Sequence, residues 1–102
     1  MSAVIYGMLE EEKERNLEMQ AMHQKEVDSL PKGTIRPRDV GEKRYYYRYY
    51  KDYKTKKVVS VYVKESDLED VKRKIAKRKY HEGIVKRLKL EYKQICKIVK
   101  EK

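Results

Sequence analysis

The run Arg44-Tyr45-Tyr46-Tyr47-Arg48-Tyr49-Tyr50 packs five phenol rings and two guanidiniums into seven residues. Guanidinium groups neutralise phosphates and release their counterions, and tyrosine rings stack on bases or pack on sugars. Both chemistries need the groups exposed on one surface. Successive side chains of a strand alternate between faces, so Tyr45, Tyr47 and Tyr49 form one set and Arg44, Tyr46, Arg48 and Tyr50 the other. Burying two unpaired guanidiniums costs several kcal/mol, which assigns the second set to the outer face.

The run 58–63 sorts in the same way. Val59, Val61 and Val63 form an apolar set expected to share the core with Tyr45, Tyr47 and Tyr49, leaving Ser60, Tyr62 and Lys64 outside. The expected binding surface therefore comprises Arg44, Tyr46, Arg48, Tyr50, Tyr62 and Lys64, with Arg36 and Arg38 at its rim. Arg can also reach base edges bidentately where a sheet enters a major groove. A lysine-rich helix follows, from which Arg73, Lys77 and Arg78 are expected as lesser phosphate contacts. The bland alternative is a solvated sheet face held by cross-strand pairs and a helix with ordinary surface lysines.

Other chemistries find little support. His23, His81 and Cys96 do not have the spacing of a zinc site, for which four ligands and paired Cys or His motifs are usual. Cys96 beside Ile95 reads as a small buried hydrophobe rather than a nucleophile. Glu10, Glu11, Glu12 and Glu14 read as complements to a helix dipole rather than as paired catalytic acids. There is no P-loop, dinucleotide fingerprint or nucleophile elbow. No enzyme activity, metal or cofactor is expected.

Residues 4–30 are rich in Glu, Gln, Met and Lys, with no Pro and one Gly, a strongly helix-forming composition. Their apolar positions, Leu9, Leu17, Met19, Met22 and Val27, fall into no clean helical seam. Leu30-Pro31-Lys32-Gly33 closes this segment and sets a boundary near residue 31. Short aromatic and β-branched runs follow: Thr34-Ile35-Arg36, then 43–52, then 58–63, separated by turns at 37–42 and 53–57. They predict a three-stranded antiparallel meander. Ser66-Asp67-Leu68-Glu69 has the spacing of a capping box and predicts a helix start. Leu68, Val71 and Ile75, then Ile84, Leu88, Tyr92, Ile95 and Val99, give two apolar stripes with a phase slip between them. Gly83 lies in the slip, which predicts a break or bend at His81-Glu82-Gly83. The expected fold is α+β: a long acidic N-terminal helix over residues 1–30, then a domain over 31–102 with a three-stranded sheet and one broken or two consecutive helices.

With 102 residues, the chain has room for one modest domain and an appendage. It has ten Tyr, no Phe and no Trp, so nearly all aromatic area carries a hydroxyl that needs a partner. The net charge of +10 is uneven. Residues 1–30 carry three basic and seven acidic side chains, net −4, leaving +14 for residues 31–102. A polyanion is drawn to the second part and repelled by the first. The single cysteine fits a reducing compartment. No basic n-region of a signal peptide and no membrane-length apolar run is present, so a cytoplasmic protein without membrane partners is expected. An exposed long helix and uncovered sheet edges leave self-association open, a homodimer included.

The pattern Leu30-Pro31-Lys32-Gly33-Thr34-Ile35, then Lys43-Arg44-Tyr45-Tyr46-Tyr47-Arg48-Tyr49, then a capped lysine-rich helix resembles the arm-type three-stranded DNA-binding module at the N-terminus of phage integrases. It also resembles small phage and mobile-element proteins with a Leu-Pro-x-Gly start and a tyrosine-rich hairpin. The resemblance spans residues 30–80 and implies DNA contact through the sheet. The acidic first helix, the long last helix and the lack of a following recombinase domain are departures. A stand-alone module of this type also resembles inhibitors of host defence, the anti-CRISPR proteins among them. That resemblance implies a defence nuclease or its ribonucleoprotein as partner, met through guide RNA on the basic sheet or through the acidic helix acting as a nucleic-acid mimic.

Overall fold

The computed structural model describes residues 3–100. The helix-forming composition of the first segment produces one helix, α1, Ala3–Ser29. The Ser29 hydroxyl donates to the Glu26 carbonyl at 2.8 Å as the helix ends, and Pro31 cannot extend it. Gly33 takes φ +115°, a conformation that L side chains rarely adopt, and any Cβ there would run into the Tyr49 carbonyl oxygen. Three strands follow: β1, Thr34–Val40; β2, Lys43–Asp52; and β3, Lys57–Val63. They form one antiparallel sheet in the order β1-β2-β3. A 3-10 turn, Glu65–Asp67, leads into a single helix, α2, Leu68–Lys100. The architecture is α+β, with the elements in the expected order.

Three details differ from the sequence expectation. Strand β1 does not stop at Arg36 but runs to Val40, because Pro37 sits on an edge strand, where a missing N–H can face away from the ladder. The β1–β2 turn is then only Gly41-Glu42, with positive φ at Gly41 alone, the pattern of a type II′ hairpin turn. The last helix starts through the 3-10 turn behind an extended Lys64, which provides no side-chain cap. Helix α2 also passes through His81-Glu82-Gly83 without interruption. An isolated Gly costs an α-helix only about 1 kcal/mol relative to Ala.

The phase slip in α2 has another origin. The chain divides into two compact units: residues 30–78, and α1 together with α2 from Lys79 onward. Leu68 and Ile75 are buried in the first, and Val85 and Leu88 in the second. The slip marks where α2 passes from one unit to the other.

In the helical unit, the less exposed positions of α1 are Tyr6, Leu9, Lys13, Asn16, Gln20, His23 and Val27, spaced alternately by three and four. This is a heptad seam, but four of its seven members are polar. Buried Asn16 donates through Nδ2 to the Leu88 carbonyl at 3.0 Å, and Gln20 Nε2 donates to Asn16 Oδ1 at 2.7 Å. His23 and His81 meet Nδ1 to Nδ1 at 2.9 Å. As residue numbers rise along α1 their partners on α2 fall, so the two helices run antiparallel.

Candidate nucleic-acid interface

Residues directly opposite in an antiparallel ladder point to the same face of the sheet. Tyr47 pairs with Tyr62 and Tyr49 with Ser60 across β2–β3, while Arg36 pairs with Tyr47 and Arg38 with Tyr45 across β1–β2. One face therefore carries Tyr45, Tyr47, Tyr49 and Tyr62 together with Arg36, Arg38, Lys43 and Lys51. The other carries Arg44, Tyr46, Arg48 and Tyr50 with Ile35, Pro37, Val59, Val61 and Val63.

This register overturns the expected pairing of faces. Tyr45, Tyr47 and Tyr49 do not share the valine side, and Arg44, Tyr46, Arg48 and Tyr50 do. Val63 on that side is 6% exposed and, with Leu68 and Ile75, makes up the buried apolar core of the unit. The guanidiniums are tolerated there because each has a partner and a long apolar stem. Arg44 Nε donates to Asp39 Oδ1 at 2.9 Å in an exposed ion pair. That hydrogen bond, then the charge of Arg44, holds the Asp39 carboxyl below its ordinary range, and Asp39 in turn raises Arg44. Arg48 Nη1 donates to the Lys32 carbonyl at 2.7 Å and its guanidinium lies 4.6 Å from the Tyr50 ring centre.

The aromatic face is a packed plate. Tyr62 meets Tyr47 at 5.7 Å and Tyr45 at 6.2 Å between ring centres, both edge to face, and Tyr47 lies 6.3 Å from Tyr49. The Arg38 guanidinium stands 5.7 Å over Tyr47. Such contacts fix the rings of half-buried tyrosines at low entropic cost. Both carboxylates in the strands, Asp39 and Asp52, belong to the opposite face, so the plate combines four rings with four cations and no acid.

Of the sequence-derived site residues, the structure brings Arg36, Arg38 and Tyr62 together on the plate. Lys64 lies one residue past β3. Arg44, Tyr46, Arg48 and Tyr50 are on the far side. On α2, Arg73 pairs with Asp70 at 3.6 Å, Lys77 is exposed, and half-buried Arg78 donates to the Leu30 carbonyl at 2.7 Å. Sequence reasoning missed Tyr45, Tyr47, Tyr49, Lys43 and Lys51 as plate members. Among the described residues, no group of three or more His, Cys, Asp or Glu side chains could hold a metal ion, and no helix is long and apolar enough to cross a membrane.

No protein-family model, curated protein or solved structure matches the chain.

Proposed function

We propose that this chain is a non-enzymatic, cytoplasmic nucleic-acid-binding protein that contacts its ligand through the plate of Tyr45, Tyr47, Tyr49 and Tyr62 with Arg36, Arg38, Lys43 and Lys51. The observation that carries this reading is the confinement of the strand carboxylates to one side of a thin sheet. Four cations and four tyrosines share a face with no acid, while both strand carboxylates lie on the other beside Arg44, Arg48 and Lys57. A merely solvated face needs no such sorting, since mixed signs serve solubility as well. Cations engage phosphates, and the ring faces accept bases or sugars.

Fluorescence anisotropy of the full chain with labelled duplex DNA, single-stranded DNA and RNA tests the proposal. Binding is expected with a log–log salt slope of about −3 to −4, the value for roughly four neutralised phosphates. Arg36→Ala with Arg38→Ala is expected to reduce affinity at least about tenfold, the equivalent of 1.4 kcal/mol. Absence of binding to all three nucleic acids at low salt, or unchanged affinity in the double variant, would overturn the assignment.

A further inference from the structure

Beside its buried seam, α1 carries a second row at the same spacing: Ile5, Met8, Glu12, Arg15, Met19 and Met22. The apolar members are exposed at 45% for Ile5, 62% for Met8, 39% for Met19 and 58% for Met22. Glu12 and Arg15 in the middle form an exposed ion pair at 3.4 Å. The row repeats alternately by three and four, so on a helix it stays within one stripe.

The order of chemistry along this stripe is palindromic, with the charge inverted at its centre. Apolar, apolar, acid, base, apolar, apolar reads the same from either end once acid is exchanged for base. When two copies of such a stripe lie antiparallel about a two-fold axis, Ile5 meets Met22, Met8 meets Met19 and Glu12 meets Arg15 of the other copy, each pair occurring twice. A two-fold interface has this self-complementary form. The alternative alignments are penalised. A parallel arrangement sets Glu12 beside Glu12 and Arg15 beside Arg15, and an antiparallel slip by one heptad in either direction sets each charge against a methionine or Ile5. A central polar pair among apolar contacts is a known means of setting helix register.

We infer that the Ile5–Met22 stripe of α1 is a homodimerisation surface that takes the same stripe of a second copy in antiparallel orientation. The inference is independent of the nucleic-acid reading, because it uses no residue of the plate. Exposed methionines suit this role, since their flexible thioethers fill an interhelical seam with little loss.

Sedimentation equilibrium over a broad dilution series tests it, with circular dichroism to confirm that each variant stays helical. The wild-type chain is expected to approach twice its 12.4 kDa mass as concentration rises. Met8→Glu with Met19→Glu is expected to raise the dimer dissociation constant at least about tenfold. Glu12→Arg alone is expected to weaken the dimer, and Glu12→Arg combined with Arg15→Glu to restore it, because the swap preserves the pairing across the axis. A wild-type chain that remains monomeric at millimolar concentration overturns the inference. So does a dimer indifferent to the methionine variants, or a charge swap that fails to rescue. Anisotropy on the same variants separates the two proposals, since loss of the dimer with retained nucleic-acid binding leaves the plate assignment standing.

Discussion

Arg48 and Lys32 are joined by a hydrogen bond from the Arg48 guanidinium to the Lys32 backbone carbonyl, 2.7 Å long, which ties β2 to the chain entering β1. The same guanidinium lies against Tyr50. Both contacts lie on the valine side of the sheet and give Arg48 a structural role.

Its removal is therefore expected to cost stability rather than binding. Arg48→Ala leaves a half-buried carbonyl without its charged donor, a loss of about 1–3 kcal/mol. Arg48→Lys should recover only part of it, because a point charge does not reproduce the flat guanidinium against the Tyr50 ring. Urea denaturation should show a lowered midpoint in both variants, with nucleic-acid affinity of the folded protein within about twofold of wild type. A variant of undiminished stability that no longer binds would return Arg48 to the interface.

The sheet shows why the order of elements was legible while the face of the site was not. The bounds of β2 follow from its composition, Lys43–Asp52. The β2–β3 turn is one residue shorter than the expected 53–57, because Asp52 pairs with Lys57. Asp52 Oδ1 accepts from the Lys54 amide at 2.9 Å, the Lys56 amide donates to the Asp52 carbonyl at 2.7 Å, and Lys56 takes φ +59°. An aspartate before a turn is a recognisable signal, but nothing in a lysine announces positive φ. One residue of turn length moves every side chain of β3 to the opposite partner set, so Tyr62, not Val61 or Val63, came to face Tyr47. The cost of burying a guanidinium is also avoided on the valine side, where Arg44 stays exposed in its pair with Asp39 and half-buried Arg48 donates to the Lys32 carbonyl. In α1 the helix was plain from composition, but a seam built on Lys13, Asn16, Gln20 and His23 is invisible to a search for apolar periodicity.

The Asp39–Arg44 pair predicts a specific acid response. The hydrogen bond and charge of Arg44 lower the Asp39 carboxyl in the folded chain. A depressed carboxylate contributes stability that is present above its unfolded value of about 3.9 and is lost as pH falls through the lower folded value. Both side chains are more than half exposed, at 59% and 64%, so salt should screen the effect. Titration of the Asp39 carboxyl carbon by NMR should give a midpoint below that of an ordinary aspartate, and Arg44→Ala should bring it back. A midpoint unmoved by that substitution would separate the pair in solution.

Asn16 offers the sharpest test of the helical unit. It is 5% exposed, donates to the Leu88 carbonyl and accepts from Gln20, so both ends of its amide are engaged. Asn16→Ala removes the acceptor of Gln20 and opens space in the seam, a loss of about 1–3 kcal/mol. Asn16→Leu should behave differently, because a polar asparagine in a helical seam sets register at a cost in stability that an apolar residue of similar size does not carry. What the leucine variant should lose is fixity of register, the usual contribution of a buried asparagine in a helical seam. Thermal melts should therefore rank leucine at or above wild type and alanine below it, while amide exchange over residues 84–92 should be faster in the leucine variant despite its undiminished melting point. An alanine variant as stable as wild type would show that the Asn16–Leu88 bond does not hold the two helices in place.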